Sequence, residues 1–347
     1  MVGRDADSHP FSLHIDTLSA SFDIVSTSNT DPVIRVDRLT KNYGDVVAAE
    51  AVTFSVGRGE VLGLLGPNGA GKTTVVKMLT TLVSIDDGTA TVAGFDVTNE
   101  SESVRRVIGL AGQVAAVDEE LTARENLELL ARLYKLPRLH RRARIEELVE
   151  RFDMGSFADR PASTYSGGQR RRLDIVAALV ADPQALFLDG PTTGLDPRSR
   201  AEVWESIRAL AATGTAILLT TQYLDEADQL ANQILVIDRG RTVANGDPEH
   251  LKSEIGRDVL EIHVPTDADL VRASDLMAAV PGKSVDTERR RLDLPITNGS
   301  AQSLQLLRQL DDGDVIIDNF QLRRPTLDDV FLALTGAPTA PLQEVHQ

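Results

Sequence analysis

Val61-Leu62-Gly63-Leu64-Leu65-Gly66-Pro67-Asn68-Gly69-Ala70-Gly71-Lys72-Thr73-Thr74 decides the fold. Its first five residues are an apolar run, short enough for a strand buried on both faces. Gly66 to Thr73 then satisfies G-x-x-x-x-G-K-[ST] at every fixed position, and a helix is expected from about Lys72. Each part has a chemical reason. Glycines let backbone N–H groups converge on phosphate oxygens with no Cβ in the way. The helix N-terminus adds its positive dipole end. Lys72 is expected to reach the β and γ phosphates and the Thr73 hydroxyl to ligate Mg2+. A chance glycine-rich turn would lack the strand before and the helix after.

Outward from this loop, Ala185–Leu188, Ala216–Thr220 and Ile234–Ile237 are further buried-strand runs. Strands that alternate with helices imply an α/β fold with a mostly parallel sheet. Between them Thr122 and Glu125 form a capping box, followed at helical spacing by Leu127, Leu130, Ala131 and Tyr134. Ile145, Leu148, Val149 and Phe152 repeat that pattern, so a helical subdomain is expected over about 115–182. Residues 1–32 read as a disordered leader and 337–347 as a flexible tail. A second block, 256–336, alternates strands (Val259–Val264, Leu292–Ile296, Val315–Leu322) with helices (Asp267–Ala279, Ala301–Leu310, Leu327–Leu334). That order suggests a small α/β module, ferredoxin-like in type.

Across 347 residues, 42% are apolar and 25% charged, enough for a packed core. A formal net charge of −16 argues against nucleic acid as a partner, which needs a basic footprint. With no cysteine, disulfides and thiolate chemistry are excluded. No apolar run approaches a membrane span, so a cytoplasmic place is expected.

Tyr165-Ser166-Gly167-Gly168-Gln169-Arg170 opens a second helix, with Ser166 at its cap and glycine amides at its tip. Together with the phosphate loop this segment resembles the ATP-binding cassette family, a resemblance that covers about Val33 to Gly246 and implies a cassette domain over 33–250. The resemblance implies a P-loop cassette with an antiparallel β edge and an inserted helical subdomain. It implies binding of ATP and Mg2+ by Gly66, Pro67, Asn68, Gly69, Ala70, Gly71, Lys72, Thr73 and Thr74. Tyr43 would stack on adenine. Ser166, Gly167, Gly168 and Gln169 would touch the γ-phosphate held by a second subunit. Asp196, in Gly194-Leu195-Asp196-Pro197, would lie in the loop that crosses between subunits. Thr73, Gln113 and Asp189 match the metal-holding positions, and Gln113, Asp189 and Gln222 the catalytic ones.

Two positions depart from the family pattern. Gly190 stands where a water-polarising glutamate is usual, and glycine has no side chain to do that work. Gln222 stands where histidine is usual, and cannot carry a proton as histidine can. Slow hydrolysis is therefore expected, with a partner-completed heterodimer as an alternative to a homodimer.

Thr220–Asp228, Tyr165–Asp174 and Arg323–Leu332 resemble the daunorubicin/doxorubicin-resistance type of exporter ATPase. This implies efflux of a drug, antibiotic or complex lipid through a separate membrane permease that binds the cargo. A peripheral place on the cytoplasmic membrane face follows, and dimer contacts or regulation for the C-terminal module. A ribosome-acting cassette is disfavoured by the single phosphate loop. A DNA-repair cassette is disfavoured because only 94 residues separate Lys72 from Ser166, with no sustained heptads. The remaining alternative, favoured by Gly190, is a non-transport ATP sensor with little hydrolysis.

Overall fold

The computed structural model describes residues 31–112, 117–255, 258–296, 299–324 and 326–335. The expected leader up to residue 30, Gln113 and the tail lie outside the described residues. In chain order, β1 (Ile34–Tyr43) and β2 (Val46–Val56) form a hairpin, and β3 (Val61–Leu65) leads into α1 (Lys72–Leu79). Next come β4 (Asp87–Val92), β5 (Phe95–Asp96), α2 (Ser101–Val107) and β6 (Ile108–Ala111). The helical stretch holds α3 (Ala123–Leu133), α4 (Arg138–Arg151), a 3-10 turn at Ala162–Thr164 and α5 (Gly167–Ala178). Then follow β7 (Ala185–Asp189), α6 (Pro197–Ala212), β8 (Ala216–Thr221), α7 (Leu224–Leu230), β9 (Gln233–Asp238), β10 (Arg241–Gly246) and α8 (Pro248–Ile255).

A six-stranded sheet in the order β10-β9-β3-β8-β7-β6 forms the centre. Its neighbours run parallel except at the β9/β10 edge. Side chains alternate between two cores, which is why the strand sequences are apolar throughout. Leu186, Leu188, Ile217 and Leu219 face the helical side with Leu127, Leu148 and Leu173. Leu62, Leu64, Phe187 and Leu218 face the other side with Val75, Leu79 and the antiparallel sheet β2-β1-β4-β5. Truncating any of these leucines to alanine is expected to cost about 2–5 kcal/mol. Gly109 in β6 sets the depth of α5, since a Cβ there would lie 2.3 Å from the Ala178 carbonyl oxygen.

The C-terminal module contains β11 (Asp258–His263), α9 (Asp267–Leu276), β12 (Ser284–Asp286), β13 (Arg291–Ile296), α10 (Gly299–Asp312), β14 (Asn319–Arg323) and α11 (Leu327–Thr335). Its antiparallel sheet runs β12-β13-β11-β14, the ferredoxin-like order for this β-α-β-β-α-β succession. Leu260, Ile262, Leu292 and Leu294 bury one face against Leu270 and Leu310 of the helices. The last strand begins at Asn319, not Val315. Val315 is buried in the helix-covered core instead, within the connection. α11 leaves the module and packs Leu327, Val330 and Phe331 against Leu65 and Leu224 of the cassette and Leu251 of α8. Its start is held by a reciprocal cap: Asp329 Oδ2 accepts from the Thr326 amide at 2.7 Å, and Thr326 Oγ1 accepts from the Asp329 amide at 3.4 Å.

Candidate nucleotide site

The phosphate loop is shaped by backbone contacts only glycine permits. A Cβ on Gly66 would lie 2.2 Å from the Ile237 carbonyl oxygen, and one on Gly71 2.1 Å from that of Ala48. Gly71 also has φ +109 and caps α1, so the loop enters the helix through a left-handed residue. Ala70 is buried beneath the loop, and its carbonyl accepts from the Gly240 amide at 2.9 Å. The loop is thus fixed to β2 and the β9–β10 turn.

Lys72 folds back over this loop. Its Nζ donates to the carbonyls of Gly66 (2.6 Å) and Pro67 (2.8 Å). Burial pushes its pKa down to about 8, against the opposing pull of the Asp189 carboxylate. Thr73 Oγ1 donates to Asp189 Oδ2 at 3.0 Å, joining the two expected metal-holding groups. Thr220 Oγ1 donates to Asp189 Oδ1 at 2.5 Å and the Gly190 amide donates to Thr220 Oγ1 at 3.1 Å. Thr220 was not among the expected site residues. Its position at the end of a buried strand, beside the strand that ends in Asp189, was the available signal.

These groups line an open cleft of about 820 Å3. Asn68, Gly69, Gly71, Lys72, Thr73 and Thr74 form one side, with Asp189, Gly190 and Gln222 at the base, and Gly167 also lines it. Gly190 has φ +64, and a Cβ there would stand 2.9 Å from Thr193 Oγ1. Its backbone therefore occupies a conformation that side chains rarely adopt.

Ser166 caps α5 in a capping box with Gln169, whose side-chain oxygen accepts from the Ser166 amide at 3.2 Å. Ser166 and Gly167 are exposed, whereas Gly168 is buried. A Cβ on Gly168 would meet that of Ser199 at 2.7 Å, so this glycine serves the α5–α6 packing. Asp196 caps α6, accepting from the Ser199 amide at 3.0 Å and its hydroxyl at 2.6 Å. These bonds hold its carboxyl below the usual carboxylate range. Tyr43 is half-exposed at the β1–β2 turn, with Lys41 Nζ 5.7 Å from its ring centroid. It does not line the cleft, but its hairpin neighbours Val46, Val47 and Ala48 do.

Sequence reasoning gave Arg171 no role. It ties the ends of β6 and β7 together at the cleft, donating to the carbonyls of Pro191 (2.8 Å), Gly112 (2.7 Å) and Asp189 (3.4 Å). Glu226 is fully buried behind them, accepting from Thr192 Oγ1 at 2.7 Å and Trp204 Nε1 at 3.2 Å. Burial raises its pKa. Neither role has a signature on a single sequence, because the partners are up to 59 residues away. Among the described residues no group of three His, Cys, Asp or Glu side chains is placed to hold a metal. The hard oxygens of Thr73 and Asp189, already side by side, nonetheless suit a magnesium ion that takes its other ligands from phosphate and water.

Known proteins resemble this chain in sequence and in fold. The ABC transporter family model matches residues 49–193, and the model for the ATP-binding protein DrrA1-3-like C-terminal domain matches 246–335. The chain is 50% identical to the daunorubicin resistance ATP-binding protein DrrA2 of Streptomyces coeruleorubidus, covering 88% of this chain and 96% of that one. It is 46% identical to the daunorubicin/doxorubicin resistance ATP-binding protein DrrA of Streptomyces peucetius, covering 89% and 95%. It is 39% identical to the Nod factor export ATP-binding protein I of Sinorhizobium fredii, covering 90% and 88%. A solved ATP-binding subunit of an ABC transporter superimposes with TM-score 0.58 at 29% identity, over 65% of this chain and 93% of that one. The cbiO1 structure from Clostridium perfringens gives 0.59 at 26% identity, over 65% and 92%. With relatives this similar along nearly their whole length, the chain belongs to the daunorubicin/doxorubicin-resistance family of ABC transporter ATP-binding proteins.

Proposed function

We propose that this chain binds Mg-ATP at Gly66–Thr74 and drives efflux of a drug, antibiotic or complex lipid through a separate membrane permease, at a slow rate of hydrolysis. The observation that carries the reading is the convergence of Lys72, Thr73 and Asp189 on one open cleft, with Gly190 in a left-handed conformation beside them. In the proposed complex Lys72 exchanges its loop carbonyls for phosphate oxygens, and Tyr43 stacks on adenine. Thr73, Asp189 and Gln113 hold magnesium. When bound, this metal supplies charge neutralisation between the β and γ phosphates. Gln222 and Gln113 orient the attacking water, because Gly190 offers no carboxylate.

The tip of α5 at Ser166–Gln169, exposed at Ser166 and Gly167, completes the site of a second copy, so two ATP molecules glue a dimer closed and loss of the γ-phosphate opens it. A partner chain with an intact glutamate would make a heterodimer. The cassette is assigned to residues 33–250, its helical subdomain to 115–182 and the module to 256–336, which serves dimer contacts or regulation. Cargo binds the permease, and the chain sits peripherally on the cytoplasmic membrane face. Two measurements test this: ATP affinity of Lys72→Ala, and Mg-ATP-dependent dimerisation followed by light scattering. Unchanged affinity, or no dimer, would sink it. Gly190 also favours a second reading, an ATP sensor without transport. Co-purification with a polytopic membrane protein decides between them.

A further inference from the structure

The α3–α4 turn stands apart from the rest of this acidic molecule. From Leu133 to Arg144 there are five Lys and Arg residues and no Asp or Glu, in a chain of net charge −16. Two of these cations are occupied structurally. Arg141 donates to the Leu136 carbonyl at 2.8 Å, and Arg144 pairs with Glu147 (2.9 Å) and Asp182 (3.1 Å). Lys135, Arg138 and Arg142, with His140 between them, are exposed and make no ion pair among the described residues. Leu136 of the same segment packs against the core, but three of its neighbours are exposed. Leu139 is 91% exposed, Leu133 67% and Tyr134 41%. The inner faces of both helices are filled by Leu127, Ala131, Ile145, Leu148 and Val149, and Leu133 and Leu139 lie outside that core, whereas Tyr134 is partly covered. Left-handed Lys135, φ +58, ends the first helix and throws the chain into the turn.

Leucine and tyrosine side chains interleaved with unpaired cations fit a surface that is both anionic and apolar just beneath its charge. We propose that the turn Leu133–Arg142 contacts the membrane surface directly, its cations taking anionic phospholipid headgroups and Leu133, Tyr134 and Leu139 entering the interfacial layer. An acidic protein helix fits less well. The neighbouring groove between α3 and α4, which Arg142 also lines, holds Glu125, Glu128 and Glu146 beside Arg124, Arg132 and Arg142, so an acidic helix laid there would meet as many carboxylates as cations. A lipid surface needs to reach only the exposed side chains of the turn. Each cation near an anionic leaflet strengthens partitioning about fivefold. Three of them together contribute on the order of a hundredfold, falling as salt screens them.

The test needs no permease, so its outcome stands apart from that of the transport reading. Full-length protein is sedimented with phosphatidylcholine vesicles and with mixed phosphatidylcholine–phosphatidylglycerol vesicles at low and high salt. Binding to the mixed vesicles alone is expected, weakened by salt. It should fall about a hundredfold in Lys135→Gln/Arg138→Gln/Arg142→Gln and about tenfold in Leu139→Ser. Both variants should keep wild-type melting temperature and ATP affinity, which guards against misfolding. Equal binding to neutral vesicles, no binding to anionic ones, or an unaffected triple variant overturns the proposal.

Discussion

Replacing Gly190 by glutamate should raise hydrolysis and lower stability, and the two effects can be separated. The residue has φ +64, and a side chain held in the left-handed region costs about 1–2 kcal/mol. The new Cβ would also press on Thr193 Oγ1 at 2.9 Å. That hydroxyl can rotate away, so the total is about 1–3 kcal/mol. At roughly 2–4 °C per kcal/mol for a domain of this size, the melting temperature should drop by several degrees. Against this, a carboxylate that orients the attacking water contributes about 100- to 10,000-fold in rate. Backbone strain carried into the closed dimer would subtract about tenfold, since 1.4 kcal/mol is a factor of ten. The net expectation is phosphate release about 10- to 1,000-fold faster than wild type at saturating Mg-ATP. Gly190→Ala is the control: it carries the same backbone cost without the carboxylate, so it should melt as early and hydrolyse no faster. If the wild-type protein hydrolyses ATP as fast as Gly190→Glu, Gly190 does not limit the rate and the reasoning is refuted. A Gly190→Ala protein that melts with wild type would refute the conformational half.

Lys72 titrates near pH 8 in the nucleotide-free fold because burial outweighs Asp189. Between about pH 8 and its unperturbed value the unfolded chain holds a proton that the fold has released, so the free protein should gain stability as pH rises through that window. ATP returns the proton, so calorimetry in two buffers at pH 8 should find uptake of about half a proton. Lys72→Arg stays charged and should take up none; equal uptake would place the proton elsewhere. Gly168→Ala should lose about 1–3 kcal/mol by forcing α5 from α6, whereas Gly167→Ala should stay within about 0.5 kcal/mol and weaken only Mg-ATP-dependent dimerisation. Scanning fluorimetry with light scattering separates the two. Arg323→Met should destabilise the C-terminal module by about 3–5 kcal/mol in denaturant unfolding. It removes the guanidinium that donates to Glu261 at 3.1 Å, Asp329 at 2.6 Å and Asp293 at 3.5 Å, leaving Asp329 only Thr326 and Glu261 only His263, Gln321 and Arg291 among the described residues. A loss under about 1 kcal/mol would show that solvent already screens these charges.

From the sequence alone, the parallel sheet was legible because β3, β7 and β8 are buried on both faces and read as unbroken apolar runs. The phosphate loop and the capping boxes at Thr122 and Ser166 were legible because their chemistry lies within a few consecutive residues. The hairpin β1–β2 was not read as strands. Its register shifts, with left-handed Arg38 and Ala51, break the two-residue alternation that marks a half-buried strand. Short β12 and the late start of β14 escaped for a related reason: their residues are mostly exposed, so no apolar pattern marks them.

What only tertiary structure decided is how distant segments share one cleft. Sequence named Asp189 and Thr73, and folding laid them 3.0 Å apart with Thr220 across the sheet. Gly190 drew attention in the sequence as a departure from the resembled pattern, but its left-handed conformation facing Thr193 was not legible there. Arg171 and Glu226 acquire their roles from carbonyls and hydroxyls that arrive from other elements. Local order follows from short-range propensity and side-chain period, both written in the chain. Site geometry depends on contacts between segments far apart in sequence, and these exist only once the core has closed.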